Sequence, residues 1–221
     1  MTGRRPIPPR VWQLDAASLS DANKALRVLP RELRPYTHGI RMVGRAVTVA
    51  ASGDLVPVLA GLEQCQAGDI LVIDAGTTDH AVLGELFATE AMRREMAGVV
   101  VYGLCRDTAT LAQLPLPIYA LGTIPRAAGS TVHPTTQAPV RLGDVEVHPG
   151  DILVGDDDGI VVVSDAELDA ALETAEAIQR REGTIRSAIQ GGTSLFEQLN
   201  FTEHLENLQS GRPSSLTFTA E

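Results

Sequence analysis

Two short runs constrain this chain most: Ile70-Leu71-Val72-Ile73 and Val99-Val100-Val101-Tyr102. Apart from the Tyr102 hydroxyl, neither has a polar side chain to turn toward water. Strands covered on both faces read this way, and they belong to parallel sheets packed between helices. The pattern between them, over residues 84–96, is helical. Residues 56–63 read as a short helix, and 40–49 alternate as a strand in which Gly44 marks a bulge. After the second run, 108–113 form one or two helical turns and 115–120 return toward a strand. This βαβα alternation predicts an α/β fold with a mixed, partly parallel sheet flanked by helices.

The flanks differ in texture. Residues 1–17 are rich in Arg and Pro and read as an extended arm. Ser18 or Ser20 caps a helix that continues through 21–26. Residues 122–140 are a Gly/Pro/Thr/Ser loop. Short β runs follow at 145–148, 151–154 and 160–163, with Asp158-Gly159 as a hairpin-turn signal. Ser164 and Glu167 form a capping box for a helix over 165–190, which Gly191-Gly192 stops. One buried core accounts for 221 residues. The expected organisation is an arm (1–17), one α/β domain (18–195) and a short helix with a tail (196–221).

A formal net charge of −10 argues against nucleic acid, which needs a basic face. No run reaches the roughly 18 apolar residues of a membrane span, and the N-terminus lacks the apolar core of a signal peptide. The two cysteines, Cys65 and Cys105, form neither a CxxC motif nor a disulfide framework. A reducing cytoplasm is the expected location.

The chemistry concentrates between Gly84 and Asp107. Gly84-Glu85-Leu86-Phe87 opens a helix whose first amides lack partners and can bind an anion, and the glycine admits a ligand close to the backbone. At the other end, Gly103-Leu104-Cys105-Arg106-Asp107 reads as a tight turn beyond a strand, where α/β sheets place ligands. An Arg fork suits a carboxylate, and an Asp is a hard oxygen ligand for Mg²⁺ or Mn²⁺. A local ion pair, with Asp107 capping the 108–113 turn, explains the same two residues, and the pattern alone leaves both readings open. Cys105 reads as a buried filler rather than a thiolate activated by Arg106. His80 reads as a surface-loop residue. No histidine pair has metal-ligand spacing, so zinc is not expected. Asp156-Asp157-Asp158-Gly159 lacks the spacing of a calcium loop and reads as a turn.

Taken together, Gly84-Glu85-Leu86-Phe87, Val99–Gly103 and Arg106-Asp107 resemble the RraA-like superfamily. That group includes class II 4-hydroxy-4-methyl-2-oxoglutarate aldolases and RraA regulators of ribonuclease E. Ser20-Asp21-Ala22, Gly44–Thr48, Gly68–Val72, and Pro149-Gly150-Asp151 through Gly159 extend the resemblance across residues 18–195. It implies a swivelling β/β/α-type domain assembled as homotrimers or pairs of trimers, with the site near a subunit interface. It implies a divalent-metal-dependent lyase that releases pyruvate from a 4-hydroxy-2-oxo acid and also decarboxylates oxaloacetate. By the same resemblance, Gly84, Glu85, Leu86, Phe87 and Arg106 bind the 2-oxo acid, and Asp107 holds Mg²⁺, Mn²⁺ or another divalent cation. Glu182, at a Glu182-Gly183 break in the long helix, corresponds to an acid contributed across the interface. Thr110 departs from the pattern, which has an acid there. Tyr102-Gly103 and 124–129 are closer to the regulator branch, for which a ribonuclease is the implied partner.

Overall fold

The computed structural model describes residues 4–76 and 79–219. A 3-10 turn at Pro9–Gln13 leads into α1 (Ala16–Ala22) and two short strands, β1 (Arg27–Val28) and β2 (Arg34–Pro35). The centre then alternates through β3 (Met42–Ala50), α2 (Leu55–Gln64), β4 (Asp69–Asp74), β5 (Ala81–Leu83), α3 (Glu85–Arg93), β6 (Gly98–Cys105), α4 (Thr108–Leu111) and β7 (Ile118–Thr123). Next come β8 (Thr135–Thr136), β9 (Val140–Leu142), β10 (Val145–Val147), β11 (Ile152–Asp156) and β12 (Gly159–Val163). The chain ends in α5 (Asp165–Gln190), a 3-10 turn at Leu195–Gln198 and α6 (Phe201–Gln209).

Strands β3, β4, β6 and β7 lie side by side and parallel, and β5 adds in parallel to the end of β6. Antiparallel β11, β12 and β1 extend the β3 side, and β2 closes the β7 edge. The result is the expected mixed α/β sheet flanked by helices. The central strands show why it forms. Leu71 and Ile73 of β4 pack into one core with Leu62, Ala88 and Val101. Ile70 and Val72 pack into another with Met42, Tyr119 and Leu153. Both faces of β4 are therefore dry, and each such side chain contributes about 1.5–3 kcal/mol of burial. A third core holds α1 and α5 against β11 and β12.

Two glycines act differently from their sequence reading. Gly44 is not a bulge, because β3 keeps a regular register with both β4 and β11. A Cβ at Gly44 would stand 2.4 Å from the Gly68 carbonyl oxygen, so the glycine lets a turn press against the strand. Gly103 does not open a turn. Gly103, Leu104 and Cys105 complete β6, and only Arg106 and Asp107 lie beyond it. A Cβ at Gly103 would meet that of Ala75 at 2.3 Å. Strand β5 pairs with Leu104 and Cys105, and β6 runs three residues further than the apolar run suggests. Strand β5 itself fills residues 81–83, just before the helical pattern, where three apolar residues are too few to show a period.

Helix ends also shift for local reasons. Asp15, rather than Ser18 or Ser20, caps α1 by accepting the Ser18 amide at 2.7 Å. That helix stops at Ala22, because the Asn23 side chain takes the Ala25 amide. Helix α3 ends at Arg93, three residues before Met96, and Glu95 then adopts a left-handed φ of 56°. Helix α5 runs without a break through Glu182 and Gly183. A helical glycine costs about 1 kcal/mol, too little to break a helix anchored by Leu168, Ala171, Leu172 and Ala175.

The capping box of α5 forms as read: Ser164 Oγ accepts the Glu167 amide, and the Glu167 carboxylate accepts the Ser164 amide. These Ser164 bonds, with Arg27 nearby, hold the Glu167 carboxyl below its ordinary range. A depressed folded value means the stabilisation is present above the unfolded pKa and fades as the pH falls through the folded one. Ser164→Ala is expected to lower stability by about 1 kcal/mol in urea unfolding at neutral pH, with an unchanged denaturant slope.

Candidate active site

The site forms where β5, α3, the end of β6 and the start of α4 meet. The Arg106 amide donates to the Leu83 carbonyl at 2.9 Å, which ties the end of β6 to the end of β5. The chain then turns at Asp107, whose φ of 60° and ψ of 34° are left-handed, a region Asp tolerates better than most residues. The Asp107 carbonyl accepts the Thr110 and Leu111 amides and so starts α4.

The Asp107 side chain does something else. It makes no capping bond to α4. Its Oδ2 accepts the Glu85 amide at 3.0 Å and caps α3, across 22 residues of sequence. Gly84, the residue before α3, has extended backbone angles that any residue adopts. Its need for glycine is one of space. A Cβ there would stand 2.6 Å from Asp107 Oδ2, 3.0 Å from Arg106 Cγ and 3.2 Å from Arg106 Nε.

Gly84, Leu86, Phe87, Arg106 and Asp107 share one open pocket. Arg106 Nε lies 3.6 Å from Asp107 Oδ2, an ion pair longer than a hydrogen bond, and both side chains are about 40% exposed. The guanidinium therefore keeps its donors for a ligand. The first backbone bond of α3 is from the Ala88 amide to the Gly84 carbonyl. Among the described residues, nothing accepts the Leu86 or Phe87 amide, which leaves two donors at the positive end of the helix dipole. Glu85 is exposed and takes part through its amide; its side chain does not line the pocket.

Glu182 is exposed on α5 and does not line the pocket formed within one chain. Sequence reasoning missed Leu55 at the start of α2, the whole of β5, and Ala127, all of which line the pocket. No local signal marks them. Ala127 sits on a segment fastened by the topology: the Ala81 amide donates to the Arg126 carbonyl, the Ala128 amide to the Ala81 carbonyl, and the Leu55 amide to the Gly129 carbonyl. Buried Asp54 secures the same segment by accepting both the Val56 and Thr131 amides.

Among the described residues there is no cluster of three or more potential metal ligands. Among the described residues, the contacts of the Asp107 carboxylate fall on Oδ2, and Oδ1 accepts no hydrogen bond. Mg²⁺ keeps several waters and uses one or two carboxylates together with a substrate, so a single carboxylate with a free oxygen fits it. Thr110, half-buried one turn along α4, offers a hydroxyl but no charge where the resemblance expects an acid.

Cys105 is fully buried, and burial pushes its thiol up to about 11; Cys65 is pushed up to about 12 for the same reason. Cys105 is thus a filler at the strand end. A maleimide probe at about pH 8 is expected to leave both thiols unlabelled in the native chain and to label both in denaturant.

The family model described as RraA-like, Aldolase/RraA, matches residues 16–162. The chain belongs to the RraA-like family. The match stops just before α5 begins. A relative from Halalkalibacterium halodurans, named "Putative 4-hydroxy-4-methyl-2-oxoglutarate aldolase", is 34% identical over 173 residues, covering 77% of this chain and 82% of the relative. The RNA-processing inhibitor RraA from Thermus thermophilis is 32% identical, with a TM-score of 0.62 over 66% of this chain and 90% of that one. A protein of uncharacterised role from Pseudomonas syringae superposes with a TM-score of 0.77 at 28% identity, over 87% of this chain and 98% of that one. Aldolase-named and regulator-named proteins thus share this RraA-like fold. No helix of the described residues is long and apolar enough to cross a membrane.

Proposed function

We propose that this chain is a divalent-cation-dependent lyase that cleaves the C3–C4 bond of a 4-hydroxy-2-oxo acid and releases pyruvate. Oxaloacetate decarboxylation, which passes through the same enolate, accompanies it. The observation that carries this reading is the convergence of Arg106, the free Asp107 Oδ1 and the open Leu86 and Phe87 amides on one pocket.

Arg106 and the two amides bind the substrate carboxylate and fix the 2-oxo end. In cleavage, the C4 hydroxyl loses its proton and becomes a carbonyl. The C3–C4 bonding electrons pass toward the C2 oxygen, and the resulting enolate of pyruvate is protonated at C3. Fixed donors aimed at the developing charge lower the barrier without reorganising; Arg106 is that donor here. Asp107 would hold the cation, which when bound supplies Lewis-acid stabilisation of the same charge. A Schiff-base route has little support. Lys24 is the chain's one lysine, and it lies exposed and paired with Asp21. The reading includes assembly as a homotrimer or a pair of trimers in the cytoplasm, with Glu182 of the partner subunit facing the pocket.

The test is pyruvate release from 4-hydroxy-4-methyl-2-oxoglutarate and from oxaloacetate, with and without EDTA. Loss on chelation, restored by Mg²⁺ or Mn²⁺, is expected. Release that survives both chelation and Arg106→Ala contradicts the reading. Thr110 favours a second reading, in which the chain acts as a regulator that binds and inhibits a ribonuclease. Ribonuclease inhibition together with no turnover of any 2-oxo acid selects it.

A further inference from the structure

Residues 191–219 stand apart from the body of the chain. None of their side chains joins the three cores. Among the described residues, their hydrogen bonds all stay between 187 and 219. The Arg181 guanidinium of α5 lies 5.5 Å from the centre of the Phe218 ring and fastens this appendage to the long helix. Within it, α6 buries no residue at all. Phe201, Leu205 and Leu208 recur at i, i+4 and i+7 and so form one stripe, and they stand 38%, 42% and 56% exposed. Phe196 extends the stripe, its ring 5.3 Å from that of Phe201. A helix of 9 residues is too short to hold itself in water, and a contiguous apolar patch rimmed by polar groups marks a docking surface. The rim here is acidic: Glu197, Glu203 and Glu206 fall between residues 187 and 211, a span with no Lys or Arg.

Like charges oppose the pairing of two such stripes, so the receiving surface carries cations. The chain has one of that kind. Arg10, Gln13, Glu176, Arg180 and Arg186 line an open groove between the N-terminal 3-10 turn and α5, three arginines against one carboxylate. Arg10 approaches Glu176 at 3.4 Å and Arg180 at 3.9 Å, so neither is held closely. Trp12, the one tryptophan of the chain, stands on the same turn and is 47% exposed. Trp and Arg are the side chains that most often anchor interfaces. The exposed Leu59 and Leu86 offer a poorer match. Glu63, Glu85 and Glu90 surround them, and Arg93 and Arg94 nearby are both taken up by Glu90. We propose that the α6 stripe of one copy of this chain seats on the Trp12–Arg180 groove of a second copy. A second copy is present wherever the chain is, which a helix without buried residues of its own requires. The contact lies outside the pocket and does not depend on the lyase reading.

The test reads acrylamide quenching of Trp12 fluorescence in the full chain, beside sedimentation velocity. The unaltered chain is expected to sediment as an oligomer with Trp12 shielded from the quencher. Leu205→Glu sets a charge in the stripe and touches no core, so the chain stays folded, and the shielding is expected to be lost. Arg180→Glu is expected to lose it too, since it sets a carboxylate against the acidic rim. Adding Glu206→Arg to Arg180→Glu is expected to restore part of the shielding, a recovery that damage to the fold would not give. An assembly held by other contacts keeps its mass in Leu205→Glu and still opens Trp12. Equal quenching of Trp12 in the unaltered chain and in Leu205→Glu overturns the proposal. So does a shielded Trp12 in a chain that sediments as a monomer, which places α6 on its own groove rather than on that of a second copy.

Discussion

Gly84→Ala is expected to lower kcat/KM for pyruvate release by about 100-fold or more while the chain stays folded. The backbone at Gly84 is extended, so alanine meets no conformational barrier there. The defect is one of space. The new methyl would stand 2.6 Å from Asp107 Oδ2 and 3.0 Å from Arg106 Cγ, so both side chains must move. A displacement of about 1 Å at a reacting centre costs on the order of 100-fold. The structural loss is smaller. Asp107 gives up the Glu85 amide, one helix cap worth about 1 kcal/mol, which lowers Tm by roughly 2–4 °C. Activity within a few-fold of the unaltered chain would show that Gly84 is an ordinary turn glycine.

Arg106→Lys and Arg106→Gln are each expected to reduce kcat/KM by about 100- to 1,000-fold, the range for removing a donor that faces developing charge. Lysine keeps the charge but not the planar fork that grips a carboxylate with two bonds, so it should rescue little. Stability should hardly change. The Arg106 side chain is partly exposed, and its 3.6 Å contact with Asp107 is too long for a hydrogen bond. Steady-state kinetics beside thermal melts check both statements. An Arg106→Lys chain that keeps more than about a tenth of its activity removes the fork from the account.

Part of this was legible in the chain, and the reasons are specific. The apolar runs at 70–73 and 99–102 reveal β4 and β6 because a strand dry on both faces has no polar period to obscure it. Ser164 and Glu167 announce α5 because a capping box is a local device, set by bonds within four residues. Gly44 and Gly103 misled because a glycine required by a distant neighbour looks the same in sequence as one required by a turn. The residue class at the site was readable, since Arg-Asp after a strand and Gly-Glu before a helix are short motifs. Their relation was not. Asp107 caps the helix behind it rather than the turn ahead, and only the pairing of β5 with β6 brings the two segments together. Leu55 and Ala127 were invisible for the same reason: topology alone carries them to the pocket wall.

The most direct measurement is a crystal structure of the chain grown with Mg²⁺ and oxalate, a small dicarboxylate that mimics the enolate of pyruvate. The account predicts one oxalate carboxylate on the Arg106 guanidinium and the Leu86 and Phe87 amides, with the cation beside Asp107. Oxalate bound elsewhere, or an Arg106–Asp107 pair that takes up neither ligand nor cation at saturating concentrations, would contradict it.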